Sequence, residues 1–568
     1  MRLLLSTVIL STTSAASIPK HTDSTSQLQH ANHIFNAIHS SMRQFGSSLN
    51  HNGMSLFVAT VPEETELYHG TSNLIRVNGT EWLAFEPEHA LIFANHGPPG
   101  GGRGRGPPPG QGSPPGDLDG SPGPPSPSPF GADERKSDLR RHEEPAEHPL
   151  GTIAENKPAL SDDAEERNGY LHTYRTKHAL RLLYVDGQSA AKSDKGTLDV
   201  QDMVLLHHNP PEGAFAQPPR GPREGFDRVE HRKSLQKQKD KPRRPHGPPG
   251  EAERAERMCQ LARTEWQDRI DGILRTEGGF EIILCEFEKH LDVVRIAQTN
   301  KDARGGPGGP GGPGHDNGDG FNYYGAVAAR YDGIGGDRVM LNYDNFVSLL
   351  AFEDAVHIDD SGRPRVNNKT STIEPVREAI KEMISTADNN PAGKDWQSIA
   401  DMVVARYADR IAYLSSASSF SDLSSFKAEV DRALRPFIDY GDRNTTTEIQ
   451  RCSAQFLPSA PSSADSIAHR SILDVTNVLC RTLLKASNID TLSHGLSTVR
   501  NLKSWLSWTT WKRCNGCGMH EICFLPIWPM GNEMDFEQPQ CRSDIPAAPG
   551  GYWGHPGGPG GPPPPPEH

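Results

Sequence analysis

The chain of 568 residues has 59 Lys and Arg against 72 Asp and Glu, a formal net charge of −13. An acidic balance of this size favours solubility and argues against a general nucleic-acid binder, whose surface would be basic. No later stretch approaches the roughly 20 continuous apolar positions of a membrane-spanning helix, so membrane insertion is not expected.

In chain order, Arg2, the apolar run 3–10 and the small residues Ser14, Ala15 and Ala16 have the make-up of a signal peptide cut after Ala16. The mature part is then expected in an oxidising, extracellular compartment. In that setting Asn78-Gly-Thr, Asn368-Lys-Thr and Asn444-Thr-Thr become N-glycosylation candidates. Four stretches dominated by Gly, Pro and charge, 96–168, 208–250, 301–320 and 546–568, are expected to be disordered inserts and a tail, because they offer too little apolar surface to pack. The second holds a basic island between Arg220 and Arg244 that reads as solvated. Roughly 390 residues remain, enough for two or three domains.

Short β-branched and aromatic runs at 54–61, 66–70, 81–85, 180–185, 280–287, 291–296 and 339–343 are bounded by Gly, Pro or Asp, the signature of strands. Ala255, Met258, Ala262, Trp266, Ile270, Ile273 and Leu274 recur at three- and four-residue steps. That spacing predicts a helix over 251–275, stopped by Gly278-Gly279 and covering the sheet. From about 372 the period is helical throughout, over 374–387, 396–414, 423–437, 467–486 and 496–511. The expected class is α+β. A mixed-sheet N-terminal domain (17–95, 169–207 and 251–360) with its covering helix precedes an α-helical module (372–511) and a small disulfide-rich C-terminal cap (512–545).

Eight cysteines suit disulfide pairing in an exported chain. Cys259 on the long helix and Cys285 after the next strand would staple helix to sheet. Cys452 and Cys480 flank a Ser/Pro-rich loop that a bridge would close. Cys514, Cys517, Cys523 and Cys541 read as two further bridges, with Cys514-Asn-Gly-Cys517 as a zinc half-site being the other reading; no metal site is expected. Trp505, Trp508, Trp511, Phe524 and Trp528 either pack over these bridges or form a carbohydrate-stacking surface.

The pattern Trp505-x-x-Trp508-x-x-Trp511-x-x-Cys514-x-x-Cys517, with Glu521-x-Cys523 and Pro526-x-Trp528-Pro529, resembles the C-terminal signature of large, functionally uncharacterised secreted proteins of filamentous fungi. The runs 183–190, 279–285 and 331–338 are similar to segments of the same group. The resemblance implies a fungal source and a secreted address, and no activity.

Leu67-Tyr68-His69-Gly70-Thr71, followed by the run 82–94, resembles the opening of the ADP-ribosyltransferase fold. That resemblance implies NAD held by Tyr68, His69 and Gly70, with Glu281, or secondly Glu286, steadying a ribosyl cation. A structural turn is the other reading of the same residues. Asp186-Gly187-Gln188-Ser189 follows a strand end, a common place for function; with Lys192, Asp194, Asp199 and Asp202 nearby it reads as a polar loop or as a catalytic or metal site. The Gly-rich run 332–338 lacks the Lys-Ser/Thr of a phosphate loop. Two functions remain, with cofactor and partners open: a structural or interaction protein of the extracellular space or cell surface, or an enzyme using NAD or a sugar nucleotide near Tyr68, His69, Asp186 and Glu281.

Overall fold

The computed structural model describes residues 28–94, 169–207 apart from 192 and 194, 250–299, 317–328, 338–387, 394–457, 466–527 and 530–544. The leader, the stretches 96–168 and 208–249, most of 301–320, the tail, the run 332–337, Lys192, Asp194 and Trp528 lie outside these residues.

After α1 (Ala31–Ser40) and α2 (Gln44–Leu49) the chain forms β1 (Ser55–Val61), β2 (Glu66–Thr71), β3 (Glu81–Ala84) and the short α3 (Pro87–Leu91). Next come β4 (Tyr170–Thr176), β5 (Leu180–Val185), α4 (Glu251–Thr264), β6 (Gly272–Thr276), β7 (Phe280–Leu284) and β8 (Leu291–Gln298). With α5 (Asn317–Ala328) and the two-residue β9 (Met340–Leu341) and β10 (Val347–Ser348), the first half is complete. The strands form one sheet in the order β10-β1-β5-β6-β7-β3-β2-β4-β8, with β9 also on β1. The β5–β6 pair is parallel, and α4 lies in the crossover that a parallel pair requires. Strands β6 and β7 are buried along their whole length, hence apolar runs such as Phe280-Glu-Ile-Ile-Leu284 in place of alternation. At the sheet edge, β8 exposes Asp292 to Arg295.

The helix expected over 251–275 ends at Thr264. Gln267 and Asp268 sit in left-handed backbone, φ 54° and 56°, and Ile273 and Leu274 belong to β6. Their spacing mimics a helical repeat, but pairing on both sides, Leu183↔Ile273 and Ile273↔Ile283, outweighs local periodicity. Gly278-Gly279 form the β6–β7 turn, where Glu277 N–H donates to the Gly279 carbonyl. Two expected strands are shorter than the sequence suggests, since 285–287 and 342–343 leave the ladder.

The rest of the chain runs through the hairpin β11 (Val356–Ile358) and β12 (Pro364–Val366), then α6 (Thr370–Thr386), α7 (Trp396–Ser415), α8 (Leu423–Leu434), α9 (Thr445–Ala454), α10 (Ile467–Ser487) and α11 (Leu492–Leu506). It closes with β13 (Ile522–Phe524), α12 (Glu533–Glu537) and β14 (Gln540–Arg542). Side-chain caps start six of these helices: Asp395, Asp422, Asn444, Ser466, Thr491 and Asn532 each accept a backbone N–H three residues on, which fills a donor left open by helix geometry. Helix α1 packs against α7 and α10 through fully buried Ile34, Phe35 and Ile38. One continuous apolar core therefore joins the sheet to the helical part.

Four disulfides fix the frame: Cys259–Cys285, Cys452–Cys480, Cys514–Cys523 and Cys517–Cys541. The first ties α4 to the end of β7 and the second ties α9 to α10. The last two hold the cap, whose strands set Cys523 opposite Cys541. No free thiol is left among the described residues.

Candidate functional site

Strand β5 ends by placing Asp186 at the edge of a cleft. Its backbone N–H donates to the Ser55 carbonyl at 3.1 Å, and its Oδ1 accepts from the Ser55 N–H at 2.9 Å. A side chain at Gly53 would fall 1.8 Å from the Asp186 carbonyl oxygen, so glycine there is what lets the two segments close. Burial pushes the Asp186 carboxyl up to about 7, and the Ser55 hydrogen bond offsets only part of that rise.

Around this carboxyl lies a cavity of about 840 Å³, within the size range of small-molecule sites. Its walls come mainly from α1, the segment after α2, the β11–β12 hairpin, the end of α11 and the cap. After α2, Asn52 donates to the carbonyls of Lys195 and Pro364, while its Oδ1 is buried with no hydrogen-bond partner. Beside it, His51 packs edge-on to Phe536 at 5.2 Å. Burial, with Arg363 and Lys195 nearby, holds this imidazole well below its usual range and so neutral.

The end of α11 supplies an aromatic wall. Ser507 caps the helix in left-handed backbone, φ 48°, and turns Trp508 inward between Phe35 and Trp511, at 5.9 and 5.1 Å. Trp511 Nε1 donates to the Ala408 carbonyl, but Trp508 Nε1 is buried without a partner. Cations lie against these rings. Lys503 stands 5.3 Å from the Trp511 centroid, and Lys512 and Arg363 stand 4.0 and 5.3 Å from that of Phe536. Arg363 is held by Glu533 at 2.7 Å. Lys512 donates to the Phe536 carbonyl, and burial, with Arg363 beside it, depresses its pKa.

Among the described residues lining the cleft, Asp186 is the one carboxyl group, against Arg363, Arg500, Lys503 and Lys512. A glycosidase-type pair of carboxyls is therefore not assembled there. The arrangement suits binding: an apolar aromatic wall, fixed cations, and unfilled donor and acceptor positions.

The residues singled out for transferase chemistry do not meet. Tyr68 pairs with Ala84 and Ala84 with Glu281, so Tyr68 and Glu281 project from one face of the sheet. His69, the next residue on β2, projects from the other. There its Nδ1–H donates to the Trp82 carbonyl at 2.7 Å, and the ring packs near His172 and Phe287. Glu281 accepts from Arg275 Nε at 2.8 Å, and this fully buried guanidinium also bonds Glu251 and Gln201. Gly70 leaves no gap for a nicotinamide, since a Cβ there would lie 1.8 Å from the Ala90 carbonyl of α3. The shared NAD pocket expected near His69 and Glu281 is thus corrected: the pair is divided by the sheet. Glu286 pairs with Lys289, Asp199 with Arg365 and Asp202 with Arg254, which leaves Asp186 as the member of its loop that reaches the cleft. Asn52, Arg363, Lys503 and Lys512 carry no motif, and only tertiary structure brings them together.

Residues 22–209 match the family model of the YPL277C N-terminal domain. Two proteins of Saccharomyces cerevisiae, uncharacterized protein YOR389W and uncharacterized protein YPL277C, are each 27% identical over 263 residues, 45% of this chain. The alignments cover 31% and 40% of those proteins, so the chain spans less than half the length of the relatives it matches. No solved structure matches. The ADP-ribosyltransferase resemblance has no counterpart among these matches. The matched domain includes Asn52 and Asp186, whereas Arg363, Lys503, Trp508 and Lys512 lie beyond it.

Proposed function

We propose that the protein is an extracellular interaction protein that binds a small molecule in the cleft beside Asp186 without transforming it. The observation that carries this reading is the coincidence of a cavity of about 840 Å³ with buried, unpartnered polar atoms on two residues of its wall, Asn52 Oδ1 and Trp508 Nε1. Leaving such atoms unsatisfied costs on the order of 1–3 kcal/mol each, a cost that a bound ligand removes. Export by the leader 1–16 is part of the proposal. It is supported by the four disulfides, and no described helix is long and apolar enough to cross a membrane. Asn78, Asn368 and Asn444 are all exposed, as glycan attachment requires.

The test uses the full chain expressed with its leader in a secreting fungal host. The expected result is protein in the medium that loses mass on glycosidase treatment. Indole fluorescence should then change on titration with at least one member of a panel of sugars, nucleotides and organic acids, because Trp505, Trp508 and Trp511 line the cleft. Retention inside the cell removes the extracellular part, and fluorescence silent to the whole panel removes the binding part.

A further inference from the structure

We infer, building on the binding reading above, that the ligand is an anionic sugar: a hydroxylated ring bearing a carboxylate, sulfate or phosphate, held by Arg500, Lys503 and Lys512 and read by Asn52 and Trp508. The first ground is charge. The chain as a whole is acidic, at −13, yet the described cleft lining reverses that sign, with four cations to one carboxyl. Chance placement on an acidic surface favours the opposite, and a concave wall of one sign concentrates ligands of the other.

The second ground is pairing. Two cations of this surface find carboxylates, Arg363 with Glu533 and Arg43 with Asp401. Arg500, Lys503 and Lys512 form no ion pair among the described residues: Arg500 Nε donates to the Ser415 carbonyl, Lys512 to that of Phe536, and Lys503 lies over Trp511. Arg500 and Lys503 are three residues apart on α11 and so share a face. Lys512 directly follows the ring that Lys503 covers, and it shares the Phe536 ring with Arg363. Glu533 pairs with Arg363 and, with Glu537, acts on Lys512, so the excess positive charge rests on Arg500 and Lys503, and an anion beside them balances it.

The third ground is the pair of unfilled positions. Asn52 Oδ1 is an acceptor and Trp508 Nε1 a donor. A sugar hydroxyl serves either one, whereas a bare inorganic anion or a fatty acid lacks the donor that Asn52 asks for.

The experiment titrates the secreted protein, followed by indole fluorescence and calorimetry, with trigalacturonate, glucose 6-sulfate and glucose 6-phosphate as the three anionic arms. Maltotriose and sodium sulfate are the controls. At least one anionic arm should bind at least about 10-fold tighter than both controls, and the affinity should fall between low salt and about 0.5 M salt. Lys503→Met and Arg500→Met should each weaken that binding roughly 10-fold. Both residues are solvent-accessible, so unchanged near-UV dichroism serves as the folding check. Maltotriose binding as tightly as the anionic sugars, with Lys503→Met neutral, overturns the anionic assignment and leaves the cleft a binding site. Sodium sulfate matching the sugars overturns the sugar part. Silence toward every sugar and salt, while a nucleotide or organic acid binds, also overturns the inference, and silence toward the entire panel overturns the binding reading itself.

Discussion

Replacing Asp186 by Asn isolates a single buried carboxyl at the rim of the cleft. In the fold its pKa is raised from the ordinary 3.8 to about 7, chiefly by burial. The folded state thus holds the proton more tightly than the unfolded chain does. This group's stabilising contribution is complete below about pH 4 and is lost progressively as pH rises to about 7. Integrated over that window, the loss amounts to roughly 4 kcal/mol at full burial, and about 1–2 kcal/mol where water entering the cleft relaxes the charge. The substituted amide keeps the acceptor for the Ser55 N–H, bears no proton to lose and fills nearly the same volume. Asp186→Asn should therefore match the parent within about 1 kcal/mol at pH 4 and exceed it by roughly 1–4 kcal/mol at pH 8. Urea unfolding of both proteins at several pH values, with disulfides intact, measures the difference directly. A difference that stays flat from pH 4 to pH 8 refutes the burial argument, as does an amide variant that loses stability at high pH.

Glu281→Gln breaks a buried ion pair from one side and leaves the Arg275 guanidinium under-compensated. It should cost roughly 3–5 kcal/mol in chemical unfolding, while binding in the cleft, on another part of the fold, stays unchanged at temperatures where the protein is folded. Gly70→Ala should lower the thermal midpoint, because its Cβ would meet the Ala90 carbonyl at 1.8 Å; roughly 1–3 kcal/mol is expected for such an overpacked contact, and a neutral result would mean that α3 lifts freely. The double change Cys452→Ser with Cys480→Ser opens a 28-residue separation and should cost about 2–4 kcal/mol in a denaturant titration. An unchanged midpoint would show that the α9–α10 packing needs no bridge.

The features that local sequence determines were readable in advance. Strands such as Leu180–Val185 announce themselves because a buried strand needs a run of β-branched and large apolar residues whatever its partners. Helices α7 and α10 do so because a helix with one buried face must repeat its apolar residues at helical spacing. The break after Thr264 did not announce itself. Ile270, Ile273 and Leu274 satisfy a helical period and a strand equally, and the neighbours β5 and β7, remote or later in the chain, decide between them. Strand β4 was hidden by its setting: Tyr170-Leu-His-Thr-Tyr-Arg-Thr176 has good strand formers but directly follows the long Gly/Pro stretch.

The site was legible in one residue and hidden in the rest for a geometric reason. Asp186 stands at a strand end, where backbone donors and a change of direction favour function, and that much is local. The cations and indoles that face it come from Arg363 to Lys512, more than 150 residues along the chain, and nothing in their neighbours constrains them to be cationic. Conversely, Leu67-Tyr-His-Gly-Thr71 looked like chemistry because a strand can be read as a linear string, whereas its side chains alternate between faces. One step of register, from Tyr68 to His69, moves a side chain through the sheet and away from Glu281. The histidine is then held by the Trp82 carbonyl and the glycine is filled by α3, so both residues serve packing. The cleft differs in kind, since its wall retains polar atoms and charges that the protein itself leaves unsatisfied, and unmet valence of that sort is what distinguishes a surface made for a partner from one made for the fold.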